Sequence, residues 1–197
     1  MKLFKNIKKW LENQEHLFYL FLLILIVPNI ILCFTEPMPV GAKECKVLLP
    51  FAFYYLLMTL SRNCGKMFWI LFLFIFFGAF QIVLLYLFGQ SIIAVDMFLN
   101  LVTTNSSEAL ELLDNLIPAI VIVVLLYIPA LAVATVSVIK KRELPELFIH
   151  RERKRARLAM IAGVLSLGAA YLFDSRYELK SDLYPANVCY NVALAFQ

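Results

Sequence analysis

The sequence predicts an all-α membrane protein with five transmembrane helices, the amino terminus in the cytoplasm and the carboxyl terminus on the periplasmic side. Three observations carry that reading: an apolar composition, five long runs without charge, and a lopsided distribution of lysine and arginine. Of 197 residues, 62% are hydrophobic, more than a soluble domain of this size can cover with polar surface. No Asp, Glu, Lys, Arg or His occurs within residues 17–34, 47–61, 67–88, 115–139 or 158–173.

Each run is a candidate span, because the hydrocarbon core asks for roughly 17–25 helical residues. The first follows a basic opening and so resembles a signal peptide. It is longer than the usual apolar segment of about 7–15 residues, and no small-x-small cleavage site follows it, so it is read as a retained span. The second and fifth are short and need Lys43, Lys46, Arg62 or Arg157 to snorkel, or a locally thinner bilayer. Pro28, Pro118 and Pro129 lie within or near the start of runs, where they can kink a buried helix without ending it. Asn29, Thr59 and Gln81 are the notable polar residues inside, read as interhelical hydrogen-bond partners.

Orientation follows from the basic residues, which accumulate on the cytoplasmic side. Lys2, Lys5, Lys8 and Lys9, then Arg62 and Lys66, then Lys140, Lys141, Arg142, Arg151, Arg153, Lys154, Arg155 and Arg157 make fourteen inside. Four remain outside: Lys43, Lys46, Arg176 and Lys180. The stretch 151–157 could attract nucleic-acid phosphates. It is read instead as a cytoplasmic loop that obeys the orientation rule and can touch anionic lipid heads, so no nucleic-acid partner is expected. Residues 1–173 form the membrane domain. Residues 174–197 form a periplasmic linker whose amphipathic end, 188–196, is read as a helix resting on the outer leaflet.

Four cysteines form no CxxC pair. Cys64 faces the reducing cytosol; Cys45 and Cys189 fall outside and are either bridged or free thiols, with Cys33 near the outer end of the first span. His16 and His150 both lie inside, and no outer cluster has metal-ligand spacing.

Chemistry is sought in the outer loop between spans three and four, read as carrying an amphipathic helical segment. There Asp96, Asn100, Thr104 and Glu108 recur every four residues and fall along one helix face. Two readings of Glu108 stand side by side. Asn105-Ser-Ser-Glu108 fits a capping box, which would occupy the carboxylate with backbone donors. Alternatively the stripe binds a zwitterionic lipid head: Asn100 and Thr104 donate to a phosphate oxygen while Glu108 faces an ammonium. A unit-charge pair about 4 Å apart at an effective dielectric near 20 gains roughly 4 kcal/mol before desolvation.

These residues resemble the membrane domain of the lipid A phosphoethanolamine transferases, the family that includes colistin-resistance enzymes. The likeness rests on Asn100-x3-Thr104-Asn105-x2-Glu108-Ala109, on its position after the third span, on the five-span layout and on the outward exit of the chain. A second echo is Ser181-Asp-Leu-Tyr-Pro-Ala-Asn187-Val-Cys-Tyr-Asn191. The resemblance implies transfer of phosphoethanolamine from phosphatidylethanolamine to lipid A, in the bacterial inner membrane. It implies Asn100, Thr104 and Glu108 as head-group contacts. The threonine nucleophile, the zinc and a covalent phosphoenzyme belong to a carboxyl-terminal soluble domain. The sequence ends before such a domain, so this part is expected to hold no catalytic residue, metal ligand or cofactor and to be inactive alone.

Two other classes compete. A small transporter or channel commonly places ionisable groups within the membrane, whereas all 32 charged residues here fall outside the five runs. A structural anchor would tolerate loss of the polar stripe; a lipid-donor site would not.

Overall fold

The computed structural model describes residues 10–35, 42–88 and 106–173, with the side chains of residues 32, 35, 42, 81, 84–88 and 106–116, Gln81 among them, outside that description. All described regular structure is helical: α1 (Gln14–Thr35), α2 (Ala42–Met58), α3 (Cys64–Ile70), α4 (Phe72–Phe88), α5 (Ser106–Ile139) and α6 (Glu146–Phe173). Three stretches are long and apolar enough to cross a membrane, namely Gln14–Ile31, Ile117–Ile139 and Glu146–Phe173. They mark the chain as a membrane protein. α2 and α4, at 17 residues each, are shorter.

The helices outrun the uncharged stretches, because the absence of charge marks lipid contact rather than helicity. α2 begins at Ala42 and takes in Lys43, Glu44 and Lys46, all good helix formers. α6 begins at Glu146, so residues 151–157 are not the expected loop but the second and third turns of a 28-residue helix. Arg, Lys, Glu and Ala in that segment favour helix as strongly as the Leu-rich part above it. Pro28, Pro50, Pro118 and Pro129 are all accommodated inside helices. The run 67–88 is divided at Leu71, where no Gly or Pro marks the change, although Leu71 N–H still donates to Met67 O at 3.0 Å.

α2 packs most extensively on α6, and α1 lies against α2; α3 and α4 lie against α5, with α1 joining the two groups. Phe21 of α1 stacks on Phe68 of α3 with centroids 4.3 Å apart, and Phe18 meets Phe148 of α6 edge-on at 5.5 Å. Two glycines set close approaches. A methyl on Gly65 would run into the Ala134 carbonyl oxygen and stand 2.9 Å from Ser137 Cβ; one on Gly163 would stand 3.1 Å from Leu49 Cα. Outward faces of α5 and α6 are aliphatic: Ile122, Leu125, Ile128, Leu158, Ile161 and Leu165 are all more than half exposed. A water-facing surface would make that costly, and a lipid-facing one makes it favourable.

One pole of the bundle gathers the start of α1, the α2–α3 turn and the α5–α6 turn. Leu144 N–H donates to Arg62 O at 2.8 Å while Arg62 Nε donates to Leu144 O at 3.2 Å. Arg142 pairs with Glu12 at 3.6 Å. α5 closes there on a left-handed residue, Lys141 (φ 48°), with Arg142 N–H donating to Ser137 O and Lys141 N–H to Val138 O. That is the Schellman arrangement, with lysine where glycine is usual. At the opposite pole the Cys33 thiol donates to Lys43 O at 3.3 Å and Asn29 Nδ2 to Lys46 O at 3.2 Å.

Candidate functional site

The expected lipid-head contacts are only partly within view. Asn100 and Thr104 lie outside the described residues, as do Asp96 and Cys189. Glu108 falls in the first turn of α5, since that helix begins at Ser106, but its side chain is outside the description too. The helix runs unbroken from Ser106 into the uncharged run 115–139.

The charged constellation that the structure does bring together was not anticipated. Glu152 belongs to the inward stripe of α6, with Phe148, Ile149, Ala156, Gly163 and Ala170. That spacing turns one carboxylate of a basic stretch towards α2, where its side chain is 0% exposed. The Tyr55 hydroxyl of α2 donates to Oε2. Arg151 Nε and Arg155 Nη1 both donate to Oε1, each at 2.9 Å. Beside it the Tyr19 ring of α1 meets Phe148 edge-on, with centroids 5.9 Å apart. Two guanidiniums, each with more than half of the side chain exposed, thus converge on one buried anion. Phe148 lies under the Arg151 guanidinium at 5.2 Å, and Arg153 Nη2 donates to Thr59 O at 2.8 Å beyond the end of α2.

A second polar node binds α1, α3 and α5. Gln14 Oε1 accepts from Ser137 Oγ at 2.7 Å and from the Cys64 thiol at 3.3 Å. Asn63 caps α3 by accepting from Lys66 N–H at 2.8 Å, and its Nδ2 reaches Ser137 O at 3.4 Å. Cys64 lies between the second and third uncharged runs. Burial pushes its thiol up to about 11, against smaller opposing effects from nearby hydrogen bonds.

Chemically, the Glu152 cluster holds charge in place rather than offering a reactive group, since every oxygen of the carboxylate is engaged by a donor. Among the described residues no group of three or more His, Cys, Asp and Glu is arranged to hold a metal. A 3.6-residue reading of 146–173 as one helix would have found Glu152, because it falls four residues from both Phe148 and Ala156. Comparison with family models, with curated proteins and with solved structures finds no match to this chain.

Proposed function

We propose that this chain is the membrane domain of a phosphoethanolamine transferase of the inner membrane. It binds the head of phosphatidylethanolamine at Asn100, Thr104 and Glu108 and holds a periplasmic soluble catalytic domain, with its zinc, over the donor and the lipid A acceptor. On this reading all five runs cross the bilayer, α2 and the α3–α4 pair included. At 1.5 Å per residue, 17 residues span about 26 Å, near the lower limit for a crossing.

The observation that supports the reading best is the length of α5. Its 34 residues extend for about 50 Å, against a hydrocarbon core of about 30 Å, and the uncharged run starts only at Asn115. The preceding turns, Glu108 among them, therefore have the reach to stand in the head-group layer at the pole away from Arg62 and Leu144. A carrier reading has less behind it. The buried Glu152 is neutralised by two arginines, six residues before the run 158–173 begins, and is no relay group in the apolar middle.

In the full-length protein, Glu108→Gln is expected to abolish phosphoethanolamine addition to lipid A, read by mass spectrometry of the extracted lipid, with insertion and abundance unchanged. Undiminished modification would overturn the donor site and leave the anchor reading. Glu108→Ala is the poorer test, because loss of a cap alone costs about 0.5–2 kcal/mol.

A further inference from the structure

We propose that the basic face at the start of α6 is a binding site for the head group of an acidic phospholipid. Lys154 and Arg157 supply its unpaired cations, with Arg151 and Arg155 held beside them by Glu152. It stands independently of the transferase reading, needing only that α6 is embedded in a bilayer.

Three observations converge on it. The first is charge: the segment 146–157 holds five basic residues, Arg151, Arg153, Lys154, Arg155 and Arg157, against two acids, Glu146 and Glu152. Its one buried acid is already shared by two arginines, and Glu146 sits 3.8 Å from His150. Among the described residues neither Lys154 nor Arg157 has an ion-pair or hydrogen-bond partner, although both are exposed.

The second is direction. Glu152, Ala156 and Gly163 point towards α2, and half a turn round the helix Lys154 stands in line with Leu158, Ile161, Leu165 and Leu172, which are 58–88% exposed. Arg151, Lys154 and Arg157 follow at i,i+3 spacing on that same side. The lysine therefore continues the lipid-facing stripe downward, at the depth where the acyl chains give way to phosphates. A face turned to bulk water would attract any anion; this one adjoins the apolar surface that a lipid's own tails cover.

The third is order. Arg151 and Arg155 bond to one carboxylate oxygen, and Arg151 rests on Phe148, so their guanidiniums keep their positions while retaining free N–H groups. A phosphodiester can accept from such fixed donors at a smaller entropic cost than from free side chains. Acidic lipid matches the excess positive charge, and a zwitterionic head would bring an ammonium into it.

The experiment uses the full chain in neutral detergent, titrated with dioctanoyl phosphatidylglycerol, with dioctanoyl phosphatidylcholine and with inorganic phosphate, and bound lipid read by native mass spectrometry. Phosphatidylglycerol is expected to bind selectively. The double variant K154Q/R157Q should weaken it by about 25-fold, about fivefold per charge, with the thermal transition of the lipid-free protein unchanged. The charge-keeping swap K154R/R157K should restore binding, which separates lost charge from lost fold. Equal binding of phosphatidylcholine, competition by inorganic phosphate at matched concentration, or undiminished binding by K154Q/R157Q would each overturn the site.

Discussion

Tyr55 of α2 and Glu152 of α6, 97 residues apart in the chain, share a hydrogen bond in which the phenol donates to a fully buried carboxylate. Two arginines on the far side of the same carboxylate balance its charge. Burying an ion is costly unless it is paired and bonded; the arginines of its own helix pair Glu152, but its second oxygen finds its donor only when α2 and α6 are docked. The pair thus serves as a register mark for the largest helix contact in the bundle.

Tyr55→Phe is expected to destabilise the folded protein by about 1.5–3 kcal/mol, the range for a hydrogen bond to a charged group. Tyr19→Phe should cost less, since Tyr19 is 41% exposed. Thermal unfolding of the three proteins in one detergent measures the difference; equal stability of Tyr55→Phe and the parent would contradict the role given to the phenol.

Gly65→Ala should be poorly tolerated, because the added methyl meets the Ala134 backbone carbonyl and Ser137 Cβ, and a backbone cannot step aside as a side chain does. Overpacking of this kind costs about 1–3 kcal/mol. Gly168→Ala is the internal control: a Cβ there has nothing within 4 Å. Matching thermal transitions for the two variants would show that α3 and α5 are not in such close contact.

Cys64 should be nearly inert in the native protein. With the thiol raised to about 11, the reactive thiolate is scarce at neutral pH and grows about tenfold per pH unit through pH 9. In a variant keeping Cys64 alone, the maleimide labelling rate should rise along that slope without levelling off. After denaturation the rate should flatten near the ordinary thiol range of about 8.5. A plateau near pH 8.5 in the native state would mean an open thiol.

Orientation is tested with a membrane-impermeant maleimide, using proteins whose four native cysteines are replaced. Lys43→Cys is expected to react in spheroplasts, and Lys154→Cys only after the membrane is opened. Both positions are exposed, so access to reagent rather than burial decides the outcome. The reverse pattern would invert the topology.

The helical class and the approximate position of each helix were legible in the sequence, because lipid selects long uncharged runs and those runs cannot be mistaken for much else. Helix ends were not, since Lys43, Glu44 and 146–157 satisfy helix propensity while breaking the hydropathy signal. Glu152 escaped for the same reason: among five basic neighbours it looks like one more solvated charge, and only its place on the α6 stripe turns it inward. The division at Leu71 has no signal in the local residues. Of the lipid-head stripe, only the start of α5 at Ser106 bears on the reading, through the turn that carries Glu108.

The partnership of α2 with α6 has a consequence for biogenesis. During synthesis α2 is made long before its chief neighbour exists, so its inward surface must find other cover, α1 among it, while roughly a hundred further residues are translated. Tyr55 spends that interval without its acceptor. Assembly is therefore not a simple stacking of helices in the order they leave the ribosome, because α6 completes a contact surface begun by α2.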